Sequence, residues 1–517
     1  MAGNMIRTAL VTTIVLAGTM FAPASARADE FVDRANAPYA SIPAAQHAEI
    51  TLFPLLAKLK PAPEAVGRLT LAALLPTTSE KWPAVEAWCT SEESKAVITA
   101  FKKLTDEKKW TSFPTIALPY GADKTDPDLV AAGLYVELGD PPSLTLAEFK
   151  YLPAIERLNL LLHAEATRLL AAGEGDAALD LMVRCTLFGR QMCERSFFVE
   201  QKLGYDMVLA GLERLRDLCY TDLRSGSPKM TAEGIRDQIR RLGEGSDSLL
   251  GIARLKLPAA ERLAGEQLLF RIMTPGAGPD EKQFPRMLTM AGDKNRPLRA
   301  FSDYAKWDAI RSVHANEVES RRQLGMVFGD WEKRWRMKPN DPGLKGYTDL
   351  DKTSRARFGS IDKLAGNVGE LFELRQRFEI EAAGTRAAMA CYGFTRKNNG
   401  NFPPSITSGV PDIIREIDLS RDPFTGERRE HFRYVVPGRA NNAASLEMQV
   451  FNSSNEAAFA VTFADETFII YSVGPDGNLN GARRATQLIP DDKGDYVIFP
   501  SMMSLFRKHM IDSGELK

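Results

Sequence analysis

A short stretch near the C-terminus has the clearest potential for chemistry. Residues 476–481 read D-x-N-x-N-G, which places oxygen-bearing side chains at alternate positions ahead of a glycine. Calcium prefers such hard oxygen ligands, and the glycine permits a sharp turn, so the stretch matches the first half of a calcium-binding loop. With the acidic residues just downstream, the candidate metal ligands are Asp476, Asn478, Asn480, Asp491, Asp492 and Asp495.

Two features of this stretch exclude an EF-hand. The twelfth position is Gln487 rather than the bidentate glutamate that an EF-hand needs, and the flanking segments do not predict a pair of helices. The downstream aspartates would therefore have to supply the missing carboxylates. A turn between two strands is the alternative interpretation, because asparagine and glycine tolerate left-handed backbone conformations.

The sequence offers no recognisable catalytic constellation. The five histidines are scattered, without an H-E-x-x-H motif or another metal-ligand spacing. A G-x-S-x-G elbow, a P-loop and a Rossmann glycine fingerprint are absent as well. His163 lies among apolar residues of a predicted helix, which is typical of a structural histidine. We therefore assign no catalytic or cofactor-binding residue.

The N-terminus indicates export. Arg7 precedes an apolar run over residues 9–22, and residues 26–28 form an A-x-A cleavage pattern. This arrangement predicts a signal peptide over residues 1–28, cleaved after Ala28, and a periplasmic or extracellular location. No later stretch reaches the roughly 18 apolar residues of a membrane span, so we expect a soluble mature chain.

The overall charge restricts the choice of partner. With 66 basic and 67 acidic residues, the net charge is −1. The chain therefore has no field of one sign that would steer it onto nucleic acid. We expect other envelope proteins as partners.

Export would allow disulfides, but the cysteines do not predict a disulfide framework. The chain has five cysteines, so at least one is unpaired. Cys185 and Cys193 lie on one predicted helix, too far apart along its axis for a bridge. Cys193 with Cys219 is the better candidate for a pair, and buried free thiols are the alternative.

Helical periodicity dominates the elements that precede the calcium motif. Residues 29–143 predict a helical, loop-rich region without a sheet, and residues 144–224 a helical hairpin extended by a third helix. Residues 225–359 predict further helices. The fold class is a multi-domain chain: a mainly α body of helical hairpins, followed by a small α+β domain over residues 360–517.

The α+β domain is predicted to start with one long helix over residues 360–397 and to continue with a short helix at Pro411–Ile417. A small antiparallel sheet should follow. Its strands are predicted at Arg433–Val436, Met448–Phe451, Ala458–Phe463, Phe468–Val473 and Tyr496–Phe499.

Several short motifs follow one another in this domain. They read R-x-A-x-A-C-Y-x-F-x5-G-x-F-P, D-P-F-T-G, a lone tyrosine, and I-Y-S-V-G-P-D-G. The residues that carry them are Arg386, Tyr392, Gly400, Phe402, Pro403, Asp422, Pro423, Gly426, Tyr434, Tyr471, Ser472, Gly474, Asp476 and Gly477. Over about residues 375–500 the chain resembles the periplasmic domain of type II secretion major pseudopilins. The resemblance implies a calcium ion in the loops of the sheet.

The chain departs from that family at its N-terminus. A pseudopilin begins with a prepilin leader and an apolar helix that carries an early glutamate, whereas this chain has an ordinary signal peptide and a long unrelated body. We therefore expect a borrowed domain rather than a fibre subunit. Residues 152–192 also resemble a large uncharacterised group of exported bacterial proteins.

Three functions are compatible with this sequence. The first is an exported, non-catalytic cell-envelope protein with a binding or assembly role, whose pseudopilin-like domain binds calcium. The alternative is an exported hydrolase with an unrecognised site in the helical body. The third is a calcium-stabilised structural module without a partner.

Overall fold

The structure, a computed structural model, describes residues 24–243, 248–292, 300–338, 341–365, 368–415, 417–439, 445–451, 457–474, 477–486 and 494–515. Most of the predicted signal peptide lies outside these residues. Among the helices that are described, none has both the length and the apolar character needed to cross a membrane.

The N-terminal region consists of short helices joined by proline-rich loops. Their bounds are α1 (Ala24–Ala40), α2 (Ala48–Leu56), α3 (Leu69–Leu74), α4 (Trp82–Cys89), α5 (Glu92–Leu104) and α6 (Pro127–Ala131). The expectation of no sheet is wrong here, because β1 (Val136–Glu137) pairs antiparallel with β2 (Glu148–Phe149). Strands of two residues are too short to show the alternation that identifies a strand in a sequence.

Three consecutive long helices form the middle of the chain: α7 (Leu152–Ala171), α8 (Gly175–Met192) and α9 (Phe198–Arg224). Glycines allow α8 and α9 to approach closely. A Cβ atom on Gly204 would lie 2.6 Å from the backbone nitrogen of Cys193, and one on Gly189 would lie 2.8 Å from Cβ of Met207. Larger residues at these positions would force the two helices apart.

The next part of the body is also helical. It contains α10 (Ala232–Arg241), α11 (Ala259–Ile272), α12 (Gln283–Met290), α13 (Ala300–Arg311), α14 (Glu317–Trp335) and α15 (Gly359–Ala365). The Thr231 hydroxyl accepts a hydrogen bond from the Gly234 amide and so caps α10. Trp331 and Trp335 are both buried.

The described part of the C-terminal unit contains three α-helices; the first two differ from the prediction in their bounds, and the third was not predicted. They are α16 (Glu370–Lys397), α17 (Ile406–Ile413) and α18 (Met502–Asp512). The single helix over residues 360–397 is wrong, because α15 ends at Ala365 and α16 starts only after Gly369. The helix at Pro411–Ile417 is wrong as well. Ser405 and Ser408 form a capping box that starts α17 at Ile406, ahead of the proline.

The sheet has six strands in the order β3-β6-β8-β7-β4-β5. Their bounds are β3 (Arg433–Val435), β4 (Leu446–Phe451), β5 (Ala457–Phe463), β6 (Ile469–Ser472), β7 (Arg484–Thr486) and β8 (Asp495–Phe499). The prediction of an antiparallel sheet is wrong in part, because β7 pairs parallel with both β4 and β8. This strand was not predicted: three residues show no pattern, and the path of the chain sets their direction.

Helix α16 packs on β6 and β8 of the sheet and also on α9 and α10 of the body. A Cβ atom on Gly384 would lie 2.6 Å from Cδ1 of Ile498, so this glycine lets α16 approach β8 closely. Glu381 of α16 accepts a 2.6 Å hydrogen bond from the Tyr496 hydroxyl and pairs with the Arg216 guanidinium. The sheet and the helical body therefore share one helix.

All five cysteines are free and buried. The structure therefore shows no bridge between Cys193 and Cys219, and the alternative of buried thiols is the one observed. Burial raises the pKa of the Cys185 thiol to about 12, so this thiol stays protonated at neutral pH.

Candidate functional site

The predicted calcium loop is anchored to the sheet by Asp495. This residue begins β8 and is fully buried. Its carboxylate accepts hydrogen bonds from the backbone amides of Asn480 at 3.1 Å and Ala482 at 2.7 Å. The Asn480 side chain in turn donates to the Asn478 carbonyl oxygen at 3.4 Å. Asn478 and Asn480 therefore lie in one loop, and Asp495 at the start of β8 holds the backbone of that loop in place.

The remaining predicted ligands, Asp476, Asp491 and Asp492, lie outside the described residues. Within the described ranges, no three His, Cys, Asp or Glu side chains form a group that could hold a metal ion. The described donors, one carboxylate and two carboxamides, fit a hard cation in chemical type. They also fit the turn interpretation, since Gly477 and Gly481 have positive φ angles of 68° and 64°.

The D-P-F-T-G motif forms a turn that is tied to the end of β6. Asp422 is buried, and its carboxylate accepts hydrogen bonds from the amides of Phe424 at 2.9 Å and Val473 at 3.3 Å. Gly426 has φ 56° and ψ −122°, a conformation that side chains disfavour. Burial raises the pKa of Asp422, although hydrogen bonds from Ser472 and the two amides oppose this.

Two aromatic motif residues, Tyr434 and Phe402, both contact the ring of Phe468. Tyr434 stacks on Phe468 with ring centroids 5.7 Å apart, and Phe402 meets Phe468 edge-on at the same distance. The Tyr434 hydroxyl donates to the Pro403 carbonyl oxygen at 2.8 Å. These motif residues therefore build the unit itself.

A cleft of about 570 Å³ lies where the helical body meets the C-terminal unit. We call it the interlayer cleft. Residues 248–253 of the body form one wall, the turn at residues 421–429 forms another, and α16 lies between them. Arg375, Glu379 and Ala383 project into it from one face of α16, as expected for positions four residues apart in a helix.

The body wall of the interlayer cleft is held by a buried arginine. The Arg190 guanidinium donates to the carbonyl oxygens of Leu250 at 2.5 Å and Gly251 at 3.0 Å. Its charge is balanced by Glu194 at 2.7 Å. The guanidinium carbons of Arg190 and Arg254 lie 5.0 and 4.0 Å from the centroid of the Trp110 ring. These contacts fix the backbone that faces the cleft.

Three arginines and two carboxylates line the interlayer cleft: Arg375, Arg421, Arg429, Glu379 and Asp422. Burial raises the pKa of Asp422. Burial also lowers the pKa of Arg375. Sequence reasoning missed this set, because residues 375 and 429 are far apart in the chain and no motif links them.

The cleft continues into a second depression of about 600 Å³, which we call the Trp335 groove. The two share Ala253 and Arg375. Arg375 donates to the Trp335 carbonyl oxygen, and its guanidinium carbon lies 4.7 Å from the centroid of the Trp335 ring. The Trp335 indole donates to the Leu255 carbonyl oxygen at 2.8 Å. Arg375 thus stands at the junction of both depressions.

The body also contains a polar cluster that sequence reasoning missed. Glu200 is completely buried and accepts hydrogen bonds from Tyr120 at 2.7 Å and Tyr151 at 2.5 Å, and it pairs with Arg195 at 2.9 Å. The Arg195 guanidinium carbon lies 4.1 Å from the centroid of the Tyr39 ring. The cluster joins α1 to α7 and α9, but its burial leaves a substrate no approach.

Comparisons with known proteins give no match to a family model, a curated protein or a solved structure.

Proposed function

We propose that this chain is an exported cell-envelope protein that binds a partner in the interlayer cleft. The observation that carries the proposal is the cleft's construction. It is formed jointly by the helical body and the C-terminal unit, and its walls are fixed by Arg190 on one side and Asp422 on the other. Rigid walls reduce the entropy that binding costs.

We also propose that about residues 375–500 are a pseudopilin-like unit used as a binding surface. In support, the motif residues Asp422, Tyr434 and Gly426 each have a local role in the turn or core of the unit. Helix α16 packs against α9 and α10 of the body as well as against the sheet. This packing leaves less of α16 exposed for contacts between fibre subunits, which favours binding by the assembled unit.

The calcium site remains part of the proposal. Asp495 holds the backbone of the loop at Asn480, and the Asn480 side chain donates to the Asn478 carbonyl oxygen. We propose that this loop, with Asp476, Asp491 and Asp492, holds one calcium ion through carboxylate and carboxamide oxygens. The ion would tie the loop to β8 and would not take part in a reaction.

Photo-crosslinking in the producing cells tests the binding proposal. A photoreactive amino acid at Ala253, which is exposed where the two depressions meet, should give a covalent adduct of defined mass with an envelope protein. The same amino acid at Ala57, which is exposed outside both depressions, is the control. Equal adducts at the two positions, or none at either, would contradict a binding site in the cleft.

A further inference from the structure

The Trp335 groove combines an apolar floor with a charged rim. Trp335 and Phe328 of α14 are buried, and together with Leu255, Leu257 and Pro258 they supply an aromatic and aliphatic surface. Phe328 and Trp335 are seven residues apart, so they lie on one face of α14. Such a floor suits an apolar side chain of a ligand, because aromatic pockets dominate binding energies at interfaces.

Cations outnumber carboxylates on the rim. The groove is lined by Lys256, Arg262, Arg336 and Arg375, whereas Glu332 is its one acidic lining residue. Lys256 and Arg336 are exposed, and among the residues that the structure describes neither has an ion-pair partner. Arg262 pairs with Glu266 at 3.1 Å. The rim thus offers positive charge that the rest of the groove does not balance.

Another surface depression is closer to charge balance. It is lined by four cations and three carboxylates, and its Arg184 and Arg241 side chains pair with carboxylates of the same lining. Arg184 pairs with Asp106 at 2.9 Å and with Asp180 at 2.6 Å, and Arg241 pairs with Asp180 at 3.0 Å. The surplus of cations at the Trp335 groove is therefore a local property and does not follow from the net charge of −1.

The shape favours an extended ligand. The groove runs into the interlayer cleft through Ala253 and Arg375, and both depressions have apolar patches beside arginines. A ligand that alternates apolar and anionic groups can match this pattern along its length. An extended peptide does so, because its successive side chains point to opposite sides.

We propose that the Trp335 groove binds an acidic peptide segment, whose apolar side chain rests on Trp335 and Phe328 and whose carboxylates meet Lys256 and Arg336. The inference rests on the proposed function, since it names the chemistry of the partner that the cleft receives. Electrostatic complementarity of this kind sets specificity and accelerates association.

Titration calorimetry with the full mature chain tests the proposal. The probe is an acetylated and amidated octapeptide that alternates leucine with glutamate, and its control has glutamine at each glutamate position. The acidic peptide should bind, more weakly at high salt because mobile ions screen exposed charges. The glutamine peptide should bind clearly more weakly.

Matched variants locate the site. The pair Lys256→Gln and Arg336→Gln should weaken binding about fivefold or more, the size expected from exposed charge pairs. The pair Lys58→Gln and Arg68→Gln removes two exposed cations outside the groove and should leave the affinity unchanged. Leu257→Ser tests the floor, since Leu257 is half-buried and lines the groove. If the two double variants bind the acidic peptide with equal affinity, the Trp335 groove is not the binding site and the proposal is overturned.

Vesicles separate a peptide ligand from a membrane surface. Binding to phosphatidylglycerol vesicles but not to the acidic peptide would overturn the proposal in favour of a lipid ligand. Photo-crosslinking at Ala253 then distinguishes the acidic-peptide proposal from the proposed function. An adduct at Ala253 without binding of the acidic peptide overturns only the acidic-peptide proposal. If neither the adduct nor peptide binding is observed, the proposed binding function is overturned as well.

Discussion

The hydroxyl of Tyr392 donates a 2.6 Å hydrogen bond to the carboxylate of Asp222 and so joins α16 to the end of α9. Both residues are buried. The same carboxylate accepts hydrogen bonds from the backbone amides of Lys229 at 2.7 Å and Met230 at 2.9 Å. Asp222 of the body thus fixes the loop that follows α9 and also holds Tyr392, a motif residue of the C-terminal unit.

Removing either side of this contact should destabilise the chain by different amounts. Tyr392→Phe loses one buried hydrogen bond and should lower the free energy of unfolding by about 1–2 kcal/mol. Asp222→Ala leaves the hydroxyl and two amides unpaired and should cost about 3 kcal/mol or more. Denaturant unfolding measures both. Tyr347→Phe is the control, since Tyr347 is 80% exposed; equal losses for Tyr347→Phe and Tyr392→Phe would contradict the expected role.

Glu261 should make stability depend on pH. Its carboxylate accepts a 2.8 Å hydrogen bond from the Phe198 amide at the start of α9, and burial raises its pKa from 4.5 to about 7. The folded chain therefore binds this proton more tightly than the unfolded chain. The free energy of unfolding should fall by on the order of 2 kcal/mol as the pH rises through that interval.

The difference between wild type and Glu261→Gln isolates this effect. Glutamine keeps an oxygen for the Phe198 amide but does not titrate, so the variant should gain stability relative to wild type as the pH rises from 4.5 to about 7. Glu92→Gln, at a residue whose side chain is 91% exposed, is the control. If the difference in free energy of unfolding between wild type and Glu261→Gln does not depend on pH, Glu261 has the same pKa in the folded and unfolded chains, which contradicts the prediction.

His163 should affect the pH dependence of stability in the direction opposite to Glu261. It is fully buried, and neither ring nitrogen has a hydrogen-bond partner within the described structure. Burial, together with nearby Arg214, lowers its pKa from 6.5 to about 3. The unfolded chain binds this proton more readily, so the free energy of unfolding should fall as the pH drops below 6.5.

His163→Leu should remove the loss of stability at acid pH, because leucine does not titrate. At pH 7 it should also raise the free energy of unfolding by about 1 kcal/mol, because two unpaired ring nitrogens are no longer buried without hydrogen bonds. His509→Gln on α18 is the control and should keep the acid loss. A large destabilisation by His163→Leu, across all pH values, would mean that the imidazole has a polar partner after all.

Calcium should stabilise the full chain if the loop binds it. The midpoint of thermal unfolding should rise with calcium concentration, as ligand binding to the folded state requires. Asp476→Ala should make the midpoint insensitive to calcium and chelator. Asp465→Ala, an exposed aspartate in the turn after β5, is the control. Persistent chelator sensitivity in Asp476→Ala would remove the assignment, and Asp476–Gly481 would be a turn.

Cleavage after Ala28 should leave the folded core intact. The buried side chains described for α1 are Phe31, Val32, Ala35, Asn36 and Tyr39, all beyond the cleavage position. N-terminal sequencing of the exported protein should therefore start at Asp29, and Ala28→Arg should block processing by changing the small-residue pattern. A mature chain that retains Met1 would contradict the signal-peptide prediction.

The sequence by itself determined the helical character of the body and the positions of five strands. These are local properties: periodicity, turn residues and capping act within a few positions. It did not show that α16 starts at Glu370 rather than near residue 360, nor that α17 is started by Ser405. There, competing local signals of glycine, serine and proline lie within a few residues of one another.

The tertiary structure alone decided the parallel pairing of β7, the packing of α16 against both the sheet and the body, and the two depressions that meet at Arg375. Their residues come from segments separated by up to about 180 positions, from Ser248 to Arg429. Periodicity reports which face of a helix is apolar, but it does not report which element covers that face. Packing between distant segments makes that choice, and the cleft is its result.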